Sequence, residues 1–330
     1  MYLGIDVGSV STKLVVIDKD RNVLDALYIS TGGNPILAVK RGLKTIQQRL
    51  TNPEKIKSVG TTGSARHLIS ILVNACVVKN EIIAHALGTL HFIAGVRTII
   101  EIGGQDSKII IIRDGIPVDF SMNTICAAGT GSFLDHQATR LGIPVEEFGD
   151  YALRAKVKVG IAGRCTVFAE SDMIHKQQLG FSNEDIINGL CESIVRNYLN
   201  NVGKGKEILS PIIFQGGVAA NKGVVRAFQK ELETEVIVPE YYNVMGAIGA
   251  AILAMEETEK SGCQTDFDFN IADIDFRTRS FECSGCPNYC EVIEVLKAHI
   301  VVHRAGSRCG KWEVQDAEER LVKSGVYDNK

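Results

Sequence analysis

The stretch YLGIDVGSVSTKLVVI at residues 2–17 returns in altered form as RTIIEIGGQDSKIIII at residues 97–112. A constant shift aligns the two copies without a gap and places Asp6 on Glu101 and Lys13 on Lys108. Each copy reads as an apolar strand, a polar turn and a second apolar strand, which is the pattern of a β-hairpin. Such a duplication predicts two copies of one supersecondary unit.

The rest of the chain alternates predicted strands and helices. Strand residues at 59–62 and at 214–215 each enter a glycine turn that leads into a helix, and helical periodicity covers 34–50, 166–179 and the segment after 182. This alternation predicts an α/β fold, and two related α/β halves that face each other would create a cleft suited to a small ligand.

The expected domain boundaries follow from the repeat. The first half spans residues 1–95 and is completed by a closing helix at 243–260, and the second spans 96–242. From residue 261 the composition becomes polar, aromatic and cysteine-rich, so 261–330 is expected to form a small C-terminal module.

The two glycine turns have the composition of a nucleoside triphosphate site. Backbone N–H groups in tight turns bind phosphate oxygens, and small residues let the backbone approach closely. Asp6 and Glu101 are expected to face each other and hold hydrated Mg²⁺. The candidate phosphate-binding residues are Gly8, Ser9, Ser11, Thr12, Lys13, Gly103, Gly104, Ser107 and Lys108. The two lysines would neutralise phosphate charge, although a lysine after a turn is more often a solvated strand end.

Further residues complete the predicted ATP or ADP site. The turn after residue 215 would seat the adenosine, and a glycine-rich segment follows Cys126; their candidate residues are Gly129, Thr130, Gly131, Gly216, Gly217, Val218 and Asn221. Hydrolysis needs a group that orients the attacking water. Gln105 and Asp106 are candidates by position, beside Asp6 and Glu101, but the sequence does not assign the base.

The motifs GIDVGS at 4–9 and EIGGQDSK at 101–108 resemble the two phosphate motifs of the sugar kinase, actin and Hsp70 ATPase superfamily. This resemblance implies two RNase-H-like domains that open and close over ATP. Because one fold supports many activities, the superfamily leaves the reaction open.

Two of the nine cysteines lie at predicted helix starts, Cys126 and Cys165. Helix N-termini stabilise thiolates and anionic clusters. A [4Fe–4S] cluster takes four thiolates, so two subunits of a symmetric dimer, each giving two, would complete one shared site. The alternative is that both cysteines are inert and buried.

The segments TICAAGTGSFL at 124–134 and RCTVFAESDM at 164–173 look like the signatures of the 2-hydroxyacyl-CoA dehydratase activators. That family includes the ATPase subunits of benzoyl-CoA reductase and the reductase partner of double-cubane cluster proteins, and the resemblance covers roughly residues 1–258. It implies a homodimer with one bridging [4Fe–4S] cluster on Cys126 and Cys165. It further implies a ferredoxin or flavodoxin donor, an iron–sulfur acceptor enzyme, and ATP-gated electron transfer between them.

The remaining cysteines divide into two groups. Cys283, Cys286, Cys290 and Cys309 offer four soft ligands for zinc or a second [4Fe–4S] cluster, with free thiols as the third alternative. Cys76 and Cys191 are expected to pack in the core, and Cys263 is a linker cysteine without a role. Disulfides are not expected, because the chain is predicted to be cytoplasmic.

Composition excludes several classes of protein. The 36 basic and 39 acidic residues give a net charge of −3, which argues against a nucleic-acid partner. The N-terminus lacks the features of a signal peptide, and no apolar run has membrane-spanning length. Two rival functions remain: a small-molecule kinase, which leaves Cys126 and Cys165 unexplained, and a nucleotide switch or chaperone-like module.

Overall fold

The computed structural model describes residues 1–50, 56–123, 126–265, 267–297 and 299–312. Its first half is a five-stranded sheet with three helices. In chain order these elements are β1 (Tyr2–Val7), β2 (Ser11–Ile17), β3 (Val23–Ser30), α1 (Pro35–Arg49), β4 (Ser58–Thr62), α2 (Arg66–Val73), β5 (Val77–Val78) and α3 (Glu81–Phe92). The strand order is β3-β2-β1-β4-β5, with β1, β2 and β3 antiparallel and β4 and β5 parallel to β1.

The second half repeats this topology. Its elements are β6 (Thr98–Ile102), β7 (Ser107–Arg113), β8 (Ile116–Asn123), α4 (Gly131–Leu141), α5 (Phe148–Leu153), α6 (Thr166–Gln178), α7 (Asn183–Asn201), β9 (Ile212–Gln215), α8 (Lys222–Leu232) and β10 (Val236–Ile237). Helix α9 (Met245–Ser261) follows them in the chain. The sheet order is β10-β9-β6-β7-β8. Asp6 pairs with Lys13 across β1 and β2, and Glu101 pairs with Lys108 across β6 and β7. The predicted α/β duplication is confirmed.

Helix α9 returns to the first half and packs against β1, β4 and α3. Glycines make this close approach feasible: a Cβ at Gly4 would lie 1.8 Å from the carbonyl oxygen of Ala247, and a Cβ at Gly249 would lie 1.8 Å from that of Ala84. The helix therefore fits against its neighbours almost backbone to backbone. No helix within the described ranges is long and apolar enough to cross a membrane.

After α9 the chain stays on the first half before it forms a separate sheet. Phe269 and Ala272 are buried in the core between α1 and the first sheet. Three antiparallel strands follow in the order β11-β12-β13, and they are β11 (Phe276–Glu282), β12 (Glu291–Lys297) and β13 (Ile300–Ala305).

Cys76 and Cys263 form a disulfide, so the expectation of two unpaired cysteines was wrong. The physical reason is the return of α9, whose C-terminal end brings Cys263 beside the start of β5, with 6.1 Å between the two Cα atoms. The two residues are 187 positions apart, and only the tertiary fold brings them together.

Candidate functional site

A polar cavity of about 250 Å³ lies between the two sheets, where β1 and β6 end in their glycine turns. Asp6 and Glu101, the last acids of these strands, are 3% and 5% exposed and both line it. The predicted turn residues that line the same cavity are Gly8, Ser9, Ser11, Lys13, Gly103, Gly104, Gln105, Asp106 and Lys108. The two copies of the repeat thus meet at one site.

Both repeat lysines are held by carboxylates and are not solvated strand ends. Lys13 Nζ lies 3.2 Å from Asp6 Oδ2. Lys108 is 2% exposed, and its Nζ lies 2.7 Å from Glu81, 3.0 Å from Glu101 and 2.9 Å from Asp106. Such burial of a lysine requires charge partners, and the acids of the cavity supply them.

The electrostatics of the cavity favour a bound cation. Its lining includes four carboxylates and two lysines, so negative charge is in excess when all are ionised. Burial raises the pKa of Glu81 and of Glu101, although Lys108 opposes both shifts. Burial also acts to raise the pKa of Asp6, but Lys13 and His85 outweigh it and hold that pKa below its ordinary value. An oxygen-rich, net-negative lining is the donor set that Mg²⁺ prefers.

Two residues of this cavity, Glu81 and His85, were not predicted from the sequence. Both lie on α3, four positions apart and therefore on one face of the helix. His85 Nδ1 lies 2.9 Å from Gln215 Nε2, and burial lowers the pKa of His85 to about 4, so its ring is neutral at pH 7. A Cβ at Gly246 would lie 2.9 Å from Asp6 Oδ2 and 3.0 Å from His85 Nε2, which places these two groups side by side. The spacing of an acid and a histidine on one helical face was the signal that could have found them.

A second cavity, of about 280 Å³, adjoins the first and shares Val10, Gly103 and Gly104 with it. It is more apolar and has the character of a nucleoside site. The predicted residues that line it are Gly131, Gly217, Val218 and Asn221, and the lining residues that were not predicted include Tyr28, Leu134, Asp135, Val145 and Glu146. Gly216, at the start of the turn, has φ +91°, which only glycine adopts without strain.

The oxygen and the nitrogen of the Asn221 side-chain amide have different surroundings. Its Oδ1 accepts hydrogen bonds from the backbone of Gly223 and Val224 and so caps α8. This fixes the orientation of the amide, and within the described part of the chain the buried Nδ2 has no hydrogen-bond partner. An acceptor atom of a bound nucleoside would satisfy this donor.

Five of the predicted nucleotide-binding residues line neither cavity: Thr12, Ser107, Gly129, Thr130 and Gly216. Thr12 is buried behind its turn, with its hydroxyl 2.9 Å from that of Thr31, and Ser107 is buried at the equivalent place in the second copy. Gly129 and Thr130 lie in the segment between Cys126 and α4.

Cys126 and Cys165 are both partly buried and form no disulfide within the described residues. Cys165 is the N-cap of α6, and Cys126 precedes a 3₁₀ turn at 127–129. The Asn123 side chain accepts from the Cys126 N–H at 2.9 Å and donates to its carbonyl at 2.8 Å. Val167 and Phe168, directly after Cys165, are 67% and 66% exposed. Two adjacent apolar side chains are therefore exposed directly after Cys165.

The C-terminal cysteines lie near one end of the small sheet. The Cys283 N–H donates to the Cys290 carbonyl at 2.8 Å, and the Trp312 indole donates to Cys283 Sγ at 3.1 Å. That indole hydrogen bond is the main cause that lowers the pKa of Cys283. Across the described ranges, no group of three or more His, Cys, Asp or Glu side chains is arranged to hold a metal ion.

Comparisons with known proteins agree with this geometry. The 2-hydroxyisocaproyl-CoA dehydratase activator of Clostridioides difficile is 35% identical over 263 residues, 79% of this chain and 97% of that protein. The activator of lactoyl-CoA dehydratase of Anaerotignum propionicum is 36% identical over 79% of this chain and 100% of that protein.

A solved structure extends the likeness to three dimensions. The activator of the 2-hydroxyisocaproyl-CoA dehydratase from Clostridium difficile, with bound ADPNP, superposes with a TM-score of 0.73 at 36% identity, covering 79% of this chain and 97% of that one. The resemblance to the dehydratase activators, based on residues 124–134 and 164–173, is therefore confirmed. The sequence profile of the BadF/BadG/BcrA/BcrD ATPase family matches residues 3–254, and this chain belongs to that family.

Proposed function

We propose that this protein is a cytoplasmic ATP-dependent reductive activase. In this proposal a homodimer with one bridging [4Fe–4S] cluster couples ATP hydrolysis to transfer of a low-potential electron from ferredoxin or flavodoxin to a partner iron–sulfur enzyme. One observation carries the proposal: the segment after Cys126 is hydrogen-bonded to the phosphate turn. Gly131 N donates to the Gly103 carbonyl and Ser132 N to the Gly104 carbonyl, each at 2.8 Å.

The nucleotide site supports the ATPase part of the proposal. The polar cavity would hold the phosphates at its two glycine turns, and Asp6 and Glu101 would hold hydrated Mg²⁺, which neutralises phosphate charge when bound. The adjoining apolar cavity would hold the adenosine, with Asn221 Nδ2 as a hydrogen-bond donor. The shared wall of Val10, Gly103 and Gly104 gives the two cavities the continuity that one ligand needs.

Hydrolysis requires a group that orients water and accepts its proton. Asp106 is paired with Lys108 and would hold the turn, whereas the Gln105 amide lines the cavity and would orient water. Glu81 would be the acceptor, because burial raises its pKa and Lys108 holds its carboxylate in place at 2.7 Å. Neutral His85 beside Asp6 would complete the hydrogen bonding around the Mg²⁺ waters.

The positions and chemistry of Cys126 and Cys165 suit ligands of a cluster shared between two subunits. Both thiols are partly accessible, both lie at helical starts, and exposed Val167 and Phe168 supply an apolar surface for a second subunit. A bound [4Fe–4S] cluster supplies one-electron transfer at low potential. A nucleotide that shifts the Gly103–Gly104 turn would move the segment after Cys126 with it, because the two are joined by backbone hydrogen bonds.

The proposal extends to the enzyme that accepts the electron and to a metal at the C-terminal cysteines. The acceptor would be a 2-hydroxyacyl-CoA dehydratase, an aryl-CoA reductase or a double-cubane protein, and the names of the relatives favour the first. Zinc or a second cluster is proposed at Cys283, Cys286, Cys290 and Cys309.

The decisive experiment measures iron in anaerobically purified protein. The wild type should be a brown dimer with about four iron atoms at the shared site. Cys165→Ser should remove that iron while ATP still binds, whereas Cys191→Ala, which changes a buried cysteine of the same domain, should leave it unchanged. A colourless, iron-free monomer that still consumes ATP would contradict the proposal and favour the small-molecule kinase.

A further inference from the structure

Helix α7 carries a buried asparagine that contacts the segment before Cys165. Asn197 is 1% exposed, and its Nδ2 donates to the carbonyl of Gly163 at 2.7 Å and, more weakly, to that of Arg164 at 3.4 Å. Arg164 immediately precedes Cys165. The amide therefore holds the backbone from which the Cys165 side chain projects.

The same side chain also lies against the segment after Cys126. A Cβ at Gly129 would come within 2.7 Å of Asn197 Oδ1, so the absence of a side chain at Gly129 admits the amide. Asn201 Nδ2 donates to Asn197 Oδ1 at 3.1 Å, which fixes which end of the amide faces each segment. One buried carboxamide thus separates and supports the two cysteine-bearing segments.

Neighbouring residues of α7 make narrower contacts that allow a comparison. Ser193 Oγ donates to the Ala162 carbonyl at 2.6 Å and Arg196 Nη2 donates to the Ile161 carbonyl at 2.6 Å, so both hydrogen bonds reach the segment before Cys165. Tyr198 donates its hydroxyl to the Lys108 carbonyl at 2.7 Å and joins α7 to the strand whose lysine lies in the phosphate cavity. Only Asn197, among these four, touches both cysteine segments.

We propose that Asn197 is a positioning residue that holds the Cys126 and Cys165 segments of one subunit at a fixed spacing. It thereby sets half of the ligand geometry for a cluster shared between subunits. The inference about cluster geometry rests on the proposed function, but the spacing of the two thiols is a property of the iron-free chain. A buried, fully hydrogen-bonded side chain of this kind orients ligands without touching the metal.

The first test uses iron-free protein and measures the alkylation rate of each thiol by peptide mass spectrometry. Asn197→Ala should raise the rates of both Cys126 and Cys165 by about fivefold or more, the change in population that one lost hydrogen bond gives. The matched control Ser193→Ala should raise only the rate of Cys165. Rates at both thiols within about twofold of wild type in Asn197→Ala would overturn the proposal.

A second variant keeps the test valid if Asn197→Ala does not fold. Asn197→Asp retains the size and an oxygen that faces Gly129, but its second oxygen replaces the donor and repels the carbonyl oxygens of Gly163 and Arg164. It should accelerate alkylation of Cys165 and leave Cys126 unchanged, with ADP binding retained as the check of folding. Equal acceleration of both thiols, or of neither, would contradict the assigned contacts.

Reconstituted protein provides the spectroscopic test. Asn197→Ala should release its iron to a chelator about tenfold faster than wild type and show an altered electron paramagnetic resonance spectrum of the reduced cluster. Unchanged release and spectrum would overturn the role in cluster geometry. Absence of iron in the wild type would instead refute the proposed function, and the alkylation result would still decide the role of Asn197.

Discussion

Replacement of Lys108 by methionine tests the electrostatics of the polar cavity between the two sheets. The methionine side chain matches the lysine stem in length but carries no charge. Lys108 is 2% exposed, and its ammonium group lies within 3.0 Å of three carboxylates, those of Glu81, Glu101 and Asp106. The substitution leaves these acids close together without their shared cation.

The expected loss of stability is large at neutral pH. Removal of one partner of a buried ion pair costs about 3–5 kcal/mol, and here three acids lose the same partner. The loss of stability should become smaller as the pH falls. Burial already raises the folded-state pKa of Glu81 and Glu101 above the ordinary value of 4.5, and loss of Lys108 raises both further. Groups with a raised folded-state pKa destabilise the fold as pH rises through that pKa, so stability is regained as pH falls toward 4.5.

Urea unfolding of the nucleotide-free protein, followed by far-ultraviolet circular dichroism at several pH values, measures this effect. Lys13→Met is the matched control, because Lys13 has Asp6 as its ion-pair partner and a side chain that is 17% exposed, and its loss should be smaller. Should Lys108→Met fail to fold at pH 7, the double variant with Glu81→Gln should recover part of the stability. Equal losses for the two lysine variants, or a loss for Lys108→Met that does not change with pH, would refute the reasoning.

Three further predictions concern other parts of the molecule. His85 has a pKa of about 4 in the folded protein and an ordinary pKa of 6.5. The free energy of unfolding should therefore fall by up to about 3 kcal/mol as the pH is lowered from 6.5 to 4. In the His85→Gln variant, acid titration should not show this decrease. Thiol titration of iron-free protein in denaturant should find seven thiols without reductant and nine with it; nine in both cases would disprove the disulfide. Gly249→Ala places a Cβ 1.8 Å from a backbone oxygen of α3 and should lower the free energy of unfolding in urea by about 3 kcal/mol or more. The control is Gly160→Ala, whose added Cβ would have no heavy atom within 4 Å, and its free energy of unfolding should be within about 0.5 kcal/mol of wild type.

The duplicated hairpins could be predicted from the sequence because their register is local. A short turn between two apolar strands places Asp6 opposite Lys13 and Glu101 opposite Lys108, and the alignment of the two copies predicted the same hairpin at both places. Glu81 and His85 could not be assigned in the same way, because the face of α3 that meets the cavity depends on where α9 packs. The separation of Cys76 from its partner in the chain hid the disulfide for the same reason.

The late position of α9 in the chain has a consequence for biosynthesis. The face of the first sheet that carries Tyr2, Val15 and Ile17 is covered by residues that begin at Val244. A nascent chain therefore exposes this apolar face until almost the whole ATPase region has left the ribosome. Domains usually fold as they emerge, N-terminal part first. In this protein the second half can complete its core before the first half does. Fragments that terminate upstream of Met245 should therefore bind chaperones and aggregate.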